Sequence, residues 1–191
     1  MQLSTLTFCA AFAASAPLMA QERAIDTQRS TIVVHVGKSG LLSAAAHDHT
    51  IEAPIASGAI RESPAPHVEF TIATAKMTVR PDPKVDPKTE LTIQKDMEEM
   101  TLETVKFPEI TFRSSHVEKL ADGQWKVDGD LSLHGVTKPV SLTVKLTDGA
   151  YTTHTVLKQT DFGIKPISIG GGMIKVKNEV EIDFRILTRP A

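Results

Sequence analysis

Residues 174–186 read IKVKNEVEIDFRI, in which Ile174, Val176, Val180, Ile182, Phe184 and Ile186 alternate with Lys175, Lys177, Glu179, Glu181, Asp183 and Arg185. A period of two puts successive side chains on opposite faces, so this stretch is a long strand with one dry face and one wet face. The same pattern fills WKVDGDLSLH, where Trp125, Val127, Leu131 and Leu133 oppose Lys126, Asp128, Asp130, Ser132 and His134. It resumes after GVTKP, with Val140, Leu142, Val144 and Leu146 opposite Ser141, Thr143, Lys145 and Thr147, which makes the pair an antiparallel hairpin sharing one apolar face.

Further strands are expected over 31–37, 50–60, 67–77, 109–118 and 151–164, for a total of about eight. One helix interrupts them. Asp86 suits its N-cap and Pro87 its first turn, Ile93, Met97 and Met100 form its apolar stripe, and Phe107-Pro108 ends it. IGGGMI, residues 169–174, has no helix pattern after it and reads as a loop or bulge before the last strand. Many half-wet strands with one helix and no second covering layer predict an all-β chain, an eight-stranded closed antiparallel barrel with one helix inserted between strands. A sandwich stays open, since periodicity sets faces and not closure. A barrel of eight strands is plugged by its own side chains or holds one small ligand. The inward residues here are mostly Val, Ile, Leu, Ala and Thr, a slim lining that leaves volume, with a packed core as the alternative.

Residues 1–20, MQLSTLTFCAAFAASAPLMA, carry no charge and precede QERAID, which reads as a secretory signal peptide cut after Ala20. A membrane anchor is disfavoured, because a span needs about twenty apolar residues and Pro17 interrupts these. The expected organisation is therefore a signal peptide, 1–20, and one exported domain, 21–191, in the periplasm or secreted, and not membrane-spanning. The cut would remove Cys9, the single cysteine, leaving neither disulfide nor thiolate. A net charge of −2 with acids and bases interspersed gives no field for nucleic acid.

VDGDLSLHGVTKPVSLTV, residues 127–144, resembles the signature hairpin of the YceI-like family. IDTQRSTIVVHVGKSG, LETVKFPEITFRSS, TDFGI and the closing VEIDFRI resemble further family segments, in order from about Ile25 to the C-terminus. The resemblance implies a lipocalin-like barrel in the periplasm whose cavity takes a long-chain lipid, such as an isoprenoid quinone, alcohol or amide. It implies no catalysis and no cofactor beyond that bound lipid, and homodimerisation is an expectation from resemblance alone. Strand parity and family position together give the expected lipid-binding wall: Val34, Val36, Phe70, Ile72, Ile110, Phe112, Leu131, Leu133, Leu142, Phe162 and Ile164. Core packing is the alternative for each. Two segments depart from the commoner family pattern, IQKDMEEMTLE on the helix and SAAAHDHTIEA after the first strand. A carrier has a physical rationale: at about 0.8 kcal/mol per buried methylene, a forty-carbon chain costs on the order of 30 kcal/mol to hold in water.

Of the seven histidines, His47 and His49 flank Asp48, and on an extended chain they point to one side. A secreted metal-binding barrel using these two is the alternative function, and it needs a third and usually a fourth ligand. A hydrogen-bonded loop is the simpler account. His35, His67, His116, His134 and His154 stand singly, with His134 assigned to turn hydrogen bonding. No nucleophile elbow, zinc-protease motif or phosphate loop is present, and a packed β domain acting through protein contacts is the third reading.

Overall fold

The computed structural model describes residues 22–42 and 47–190. The expected signal peptide and residues 43–46 of the HDH segment lie outside the described residues. Twelve strands form one antiparallel sheet. They are β1 (Glu22–Ala24), β2 (Thr31–Ser39), β3 (His49–Glu52), β4 (Ile55–Arg61), β5 (His67–Ala73), β6 (Thr78–Val79), β7 (Glu109–Ala121), β8 (Gln124–Leu133), β9 (Val136–Thr147), β10 (Ala150–Lys158), β11 (Ser168–Ile169) and β12 (Ile174–Ile186), with helix α1 (Pro87–Asp96) between β6 and β7. The order across the sheet is β1-β4-β5-β7-β8-β9-β10-β12-β2-β3-β6, with β11 paired to β12. The sheet curls on itself. Asp26 N–H donates to the Leu187 carbonyl at 2.8 Å and Arg189 N–H to the Ala24 carbonyl at 2.8 Å, tying the segment after β1 to the segment after β12.

The all-β barrel-like fold agrees with the alternation, but the strand count among the described residues is twelve and not eight. The expected strand over 50–60 divides at Ala53-Pro54 into β3 and β4, because proline has no N–H for a ladder. β1, β6 and β11 are two or three residues each, too short for periodicity to register. The expected strand over 151–164 stops at Lys158. There Gln159 Nε2 donates to the Lys177 carbonyl, and Asn178 bonds both the N–H and the hydroxyl of Thr160, folding 159–162 into a 3-10 turn. Asn178 occupies the inward parity of β12, and the ladder with β2 shifts register between Val176 and Val180.

Two tight turns follow sequence chemistry. Leu133 pairs with Val136 across His134 and Gly135, at φ 52° and 76°, and Thr147 pairs with Ala150 across Asp148 and Gly149, at φ 51° and 75°. Positive φ at both central residues is the twist-matched geometry for a two-residue hairpin. At the N-terminus of α1 the Asp86 carboxylate accepts from the backbone N–H groups of Lys88 and Thr89, as its position before Pro87 predicts. The helix does not run on to Phe107. From Met97 to Thr101 it widens into a π turn, with Leu102 N–H donating to the Met97 carbonyl. That extra residue rotates the helical phase. Met97 is buried while Met100 is exposed, which corrects the expected Ile93-Met97-Met100 stripe.

Gly129 occupies an inward position of β8. A Cβ there would sit 2.6 Å from Phe112 Cζ and 2.5 Å from the Arg113 carbonyl oxygen. The missing side chain is the niche into which the Phe112 ring fits. Gly129→Ala is expected to destabilise the fold by about 1–3 kcal/mol, the usual range for overpacking against atoms that cannot retreat. A urea midpoint equal to that of the parent protein would contradict this.

Candidate functional site

The inward rows of the curled sheet enclose two cavities. The larger, about 180 Å³, lies under α1 and is walled mainly by β2, β5, β8, β12 and the 159–164 turn. The smaller, about 80 Å³, lies toward the opposite end, walled by β4, β7, β8, β9 and β10. Val34, Val36, Phe70, Ile72, Ile110, Leu131, Leu133, Phe162 and Ile164 line the larger cavity. Phe112 and Leu142 line the smaller, and Phe70 borders both. The expected wall residues are thus brought to one continuous interior.

Sequence reasoning missed more of the lining than it found. Ile32, Ile51, Met77, Leu157 and Ile182 line the larger cavity, and Trp125, Val144 and Tyr151 the smaller, with Phe184 in both. Phe184, Ile182 and Trp125 carried the signal in their inward parity. Met77 did not, since it follows a 3-10 turn whose phase no strand pattern conveys. The helix contributes Ile93, Met97 and Leu102, and it is strapped over the cavity by Gln94. Gln94 Oε1 accepts from Val79 N–H at 2.8 Å and its Nε2 donates to the Met77 carbonyl at 3.0 Å.

Few polar groups touch this interior. His49, Thr101, Lys158 and Gln159 lie on the wall of the larger cavity. Burial pushes the His49 imidazole below its ordinary pKa, and the neighbouring His47 adds to that shift. Arg61, Glu62, His67, Tyr151 and Thr153 are the polar residues on the wall of the smaller cavity. The Tyr151 hydroxyl donates to Glu62 Oε1, and Arg23 Nη2 donates to both, at 2.7 Å to Glu62 and 2.9 Å to the tyrosine oxygen. Burial, reinforced by the Glu62 carboxylate, raises the Tyr151 pKa to about 12.

A phenol whose pKa is higher in the folded chain than in the unfolded one stabilises the fold fully below pH 10, and that contribution is lost as pH rises through about 12. Tyr151→Phe is expected to lower stability at neutral pH and to flatten the alkaline fall between those two values. Parallel urea titrations of variant and parent protein across that window check it, and identical alkaline slopes would contradict it.

His35, His67, His134 and His154, which the spacing leaves single, each meet a carboxylate in the fold. β2 and β10 flank β12, so His35 Nε2 and His154 Nδ1 lie 3.0 Å and 2.9 Å from the two carboxylate oxygens of Asp183 on the outer face. The His154 hydrogen bond, then that of His35, holds the Asp183 carboxyl below the usual carboxylate range. His67 Nδ1 lies 2.9 Å from Ser114 Oγ, which also accepts from Val68 N–H, and its Nε2 lies 3.3 Å from Glu69. His134 Nε2 lies 2.8 Å from Glu103 Oε2, and its ring packs on Phe107 at 4.3 Å, joining the β8–β9 turn to the loop after the helix. His47 lies 3.9 Å from Asp82, and Asp48 accepts from Lys38 N–H. Among the described residues no group of three or more His, Cys, Asp or Glu is placed to hold a metal ion, and no helix is long and apolar enough to cross a membrane.

Comparison with known proteins matches residues 24–187 to the sequence model of a family described as YceI-like domain. A UPF0312 protein of Yersinia pestis (strain Pestoides F) is 54% identical over 46 residues, 24% of this chain and 23% of that protein, so the match spans about a quarter of the relative. In fold the chain is similar to Burkholderia cenocepacia BcnA, with TM-score 0.62 and 16% identity over 85% of this chain and 98% of that one. It is also similar to a structure described as a polyisoprenoid binding domain from Saccharophagus degradans, implicated in plant cell wall breakdown. That likeness has TM-score 0.57 and 17% identity over 88% and 98% of the two chains.

Proposed function

The chain belongs to the YceI-like family, and from that premise we propose that it is a noncatalytic periplasmic protein that sequesters or carries a long-chain isoprenoid-like lipid, an alcohol or quinone, inside its sheet. The observation carrying this reading is the apolar interior, two cavities in line whose walls are built almost wholly of aliphatic and aromatic side chains. Apolar surface of this kind offers a prenyl chain what a bilayer offers, and a carrier has only to compete with the membrane to hold its guest. The lipid class also draws on the Saccharophagus degradans domain, which is described as binding polyisoprenoid. Export is proposed from the uncharged segment 1–20, with the domain beginning at 21.

Native mass spectrometry of the full chain expressed with its own leader, followed by organic extraction, tests the reading. A bound mass that is released into solvent and fragments as an isoprenoid is the expected result. Protein found only at its bare mass, and unable to gain mass from polyprenol micelles, would overturn it. A stoichiometric metal lost in His47→Ala would favour the metal-binding alternative instead. The same spectra read the monomer or homodimer directly.

A further inference from the structure

Two aromatic residues stand where the two cavities meet. Phe70 on β5 and Phe184 on β12 are the two residues that line both, and their ring centroids lie 6.2 Å apart at 56°. β5 and β12 are not neighbours in the sheet, so this contact spans the lumen and does not run along the wall. The two rings differ in freedom. Phe70 is 7% exposed and stacks at 5.5 Å on Phe112, itself 3% exposed and seated in the Gly129 niche. Phe184 is only partly buried, and Phe70 is its one close aromatic neighbour among the described residues. Phe70 is held on a second side by Phe112, whereas turning Phe184 aside takes only a side-chain rotation, with no backbone hydrogen bond to break.

Resting on the carrier reading, we propose that Phe184 against Phe70 is a chain-length gate that confines short prenyl tails to the larger cavity and opens only for tails long enough to thread into the smaller one. A short tail finds its full apolar contact below the rings and gains nothing by parting them. A longer tail has methylenes left over, and their burial beyond the rings exceeds the loss of one aromatic contact. Glu62 and Tyr151 stand on the wall of the smaller cavity, and the hydrogen bonds they make with each other and with Arg23 are ones a hydrocarbon cannot replace.

Trp125, the single tryptophan, lines the smaller cavity and not the larger, so its fluorescence reports threading directly. Farnesol and solanesol are the probes, with binding scored by native mass spectrometry and threading by Trp125 emission. In the parent protein farnesol is expected to bind without moving the emission, and solanesol to bind and shift it to the blue. In Phe184→Ala farnesol is expected to shift it too, and the preference for solanesol to fall by about tenfold. Phe184→Leu, which keeps an apolar side chain and serves if the alanine variant does not fold, is expected to lie between. Equal emission changes from the two prenols in the parent protein, or an unaltered preference in a folded Phe184 variant, would overturn the gate while leaving the carrier reading standing. Failure of both prenols to bind would overturn both.

Discussion

Leu131→Trp is expected to fold and to lose at least about tenfold of its affinity for long prenols. Leu131 is on the inward row of β8, faces the larger cavity, and pairs in register with Phe112 beside the aromatic contact. An indole there projects into the volume that a tail would fill. It is only partly buried, so the larger side chain has space to enter, at the roughly 1–3 kcal/mol that overpacking costs. Loading measured by native mass spectrometry, beside a urea curve that verifies folding, separates occlusion from collapse. A folded variant that loads as the parent does would mean that guests do not use this cavity.

Phe112→Ala is expected to lower unfolding stability by about 3–5 kcal/mol, the range for emptying a buried phenylalanine site. The ring is nearly inaccessible, stacks on Phe70, and fills a niche that exists because residue 129 has no side chain. Its removal leaves a void bounded by strand backbone that cannot close. Phe112→Leu restores part of the volume and is expected to recover part of the loss. The same urea titrations check both, and a shift below about 1 kcal/mol for the alanine variant would show that the site relaxes or was never tightly filled. A domain whose stability is typically about 5–15 kcal/mol would be close to unfolding in Phe112→Ala, so loading is better tested with Leu131→Trp.

The faces of the strands were legible because a period of two survives any arrangement of neighbours. Val34, Ile72, Leu133 and Leu142 could be assigned inward before any strand was placed beside another. The helix start was legible for a local reason as well, an aspartate before a proline. Whatever depends on which strands are neighbours was hidden. His35 and His154 lie far apart in the chain and share Asp183 only because β2 and β10 pair with opposite edges of β12. Arg23, Glu62 and Tyr151 come from three separate segments and meet beside the smaller cavity. The aromatic constriction needs more still. Phe70, Phe112 and Phe184 occupy one level of the lumen through the relative shift of strands distant in the sheet, which alternation within a strand does not record. Local geometry erased other signals. The π turn at 97–101 moved Met100 to solvent, and Asn178 with Gln159 ended β10 where a run of alternating residues suggested that it continue.

The decisive measurement is a crystal structure of the exported domain grown with a long polyprenol. Continuous tubular density running from the cavity under α1, past Phe184 turned aside from Phe70, toward Trp125 is the expected result. Side chains in van der Waals contact throughout the interior, with the prenol outside the sheet or nowhere in the crystal, would contradict it.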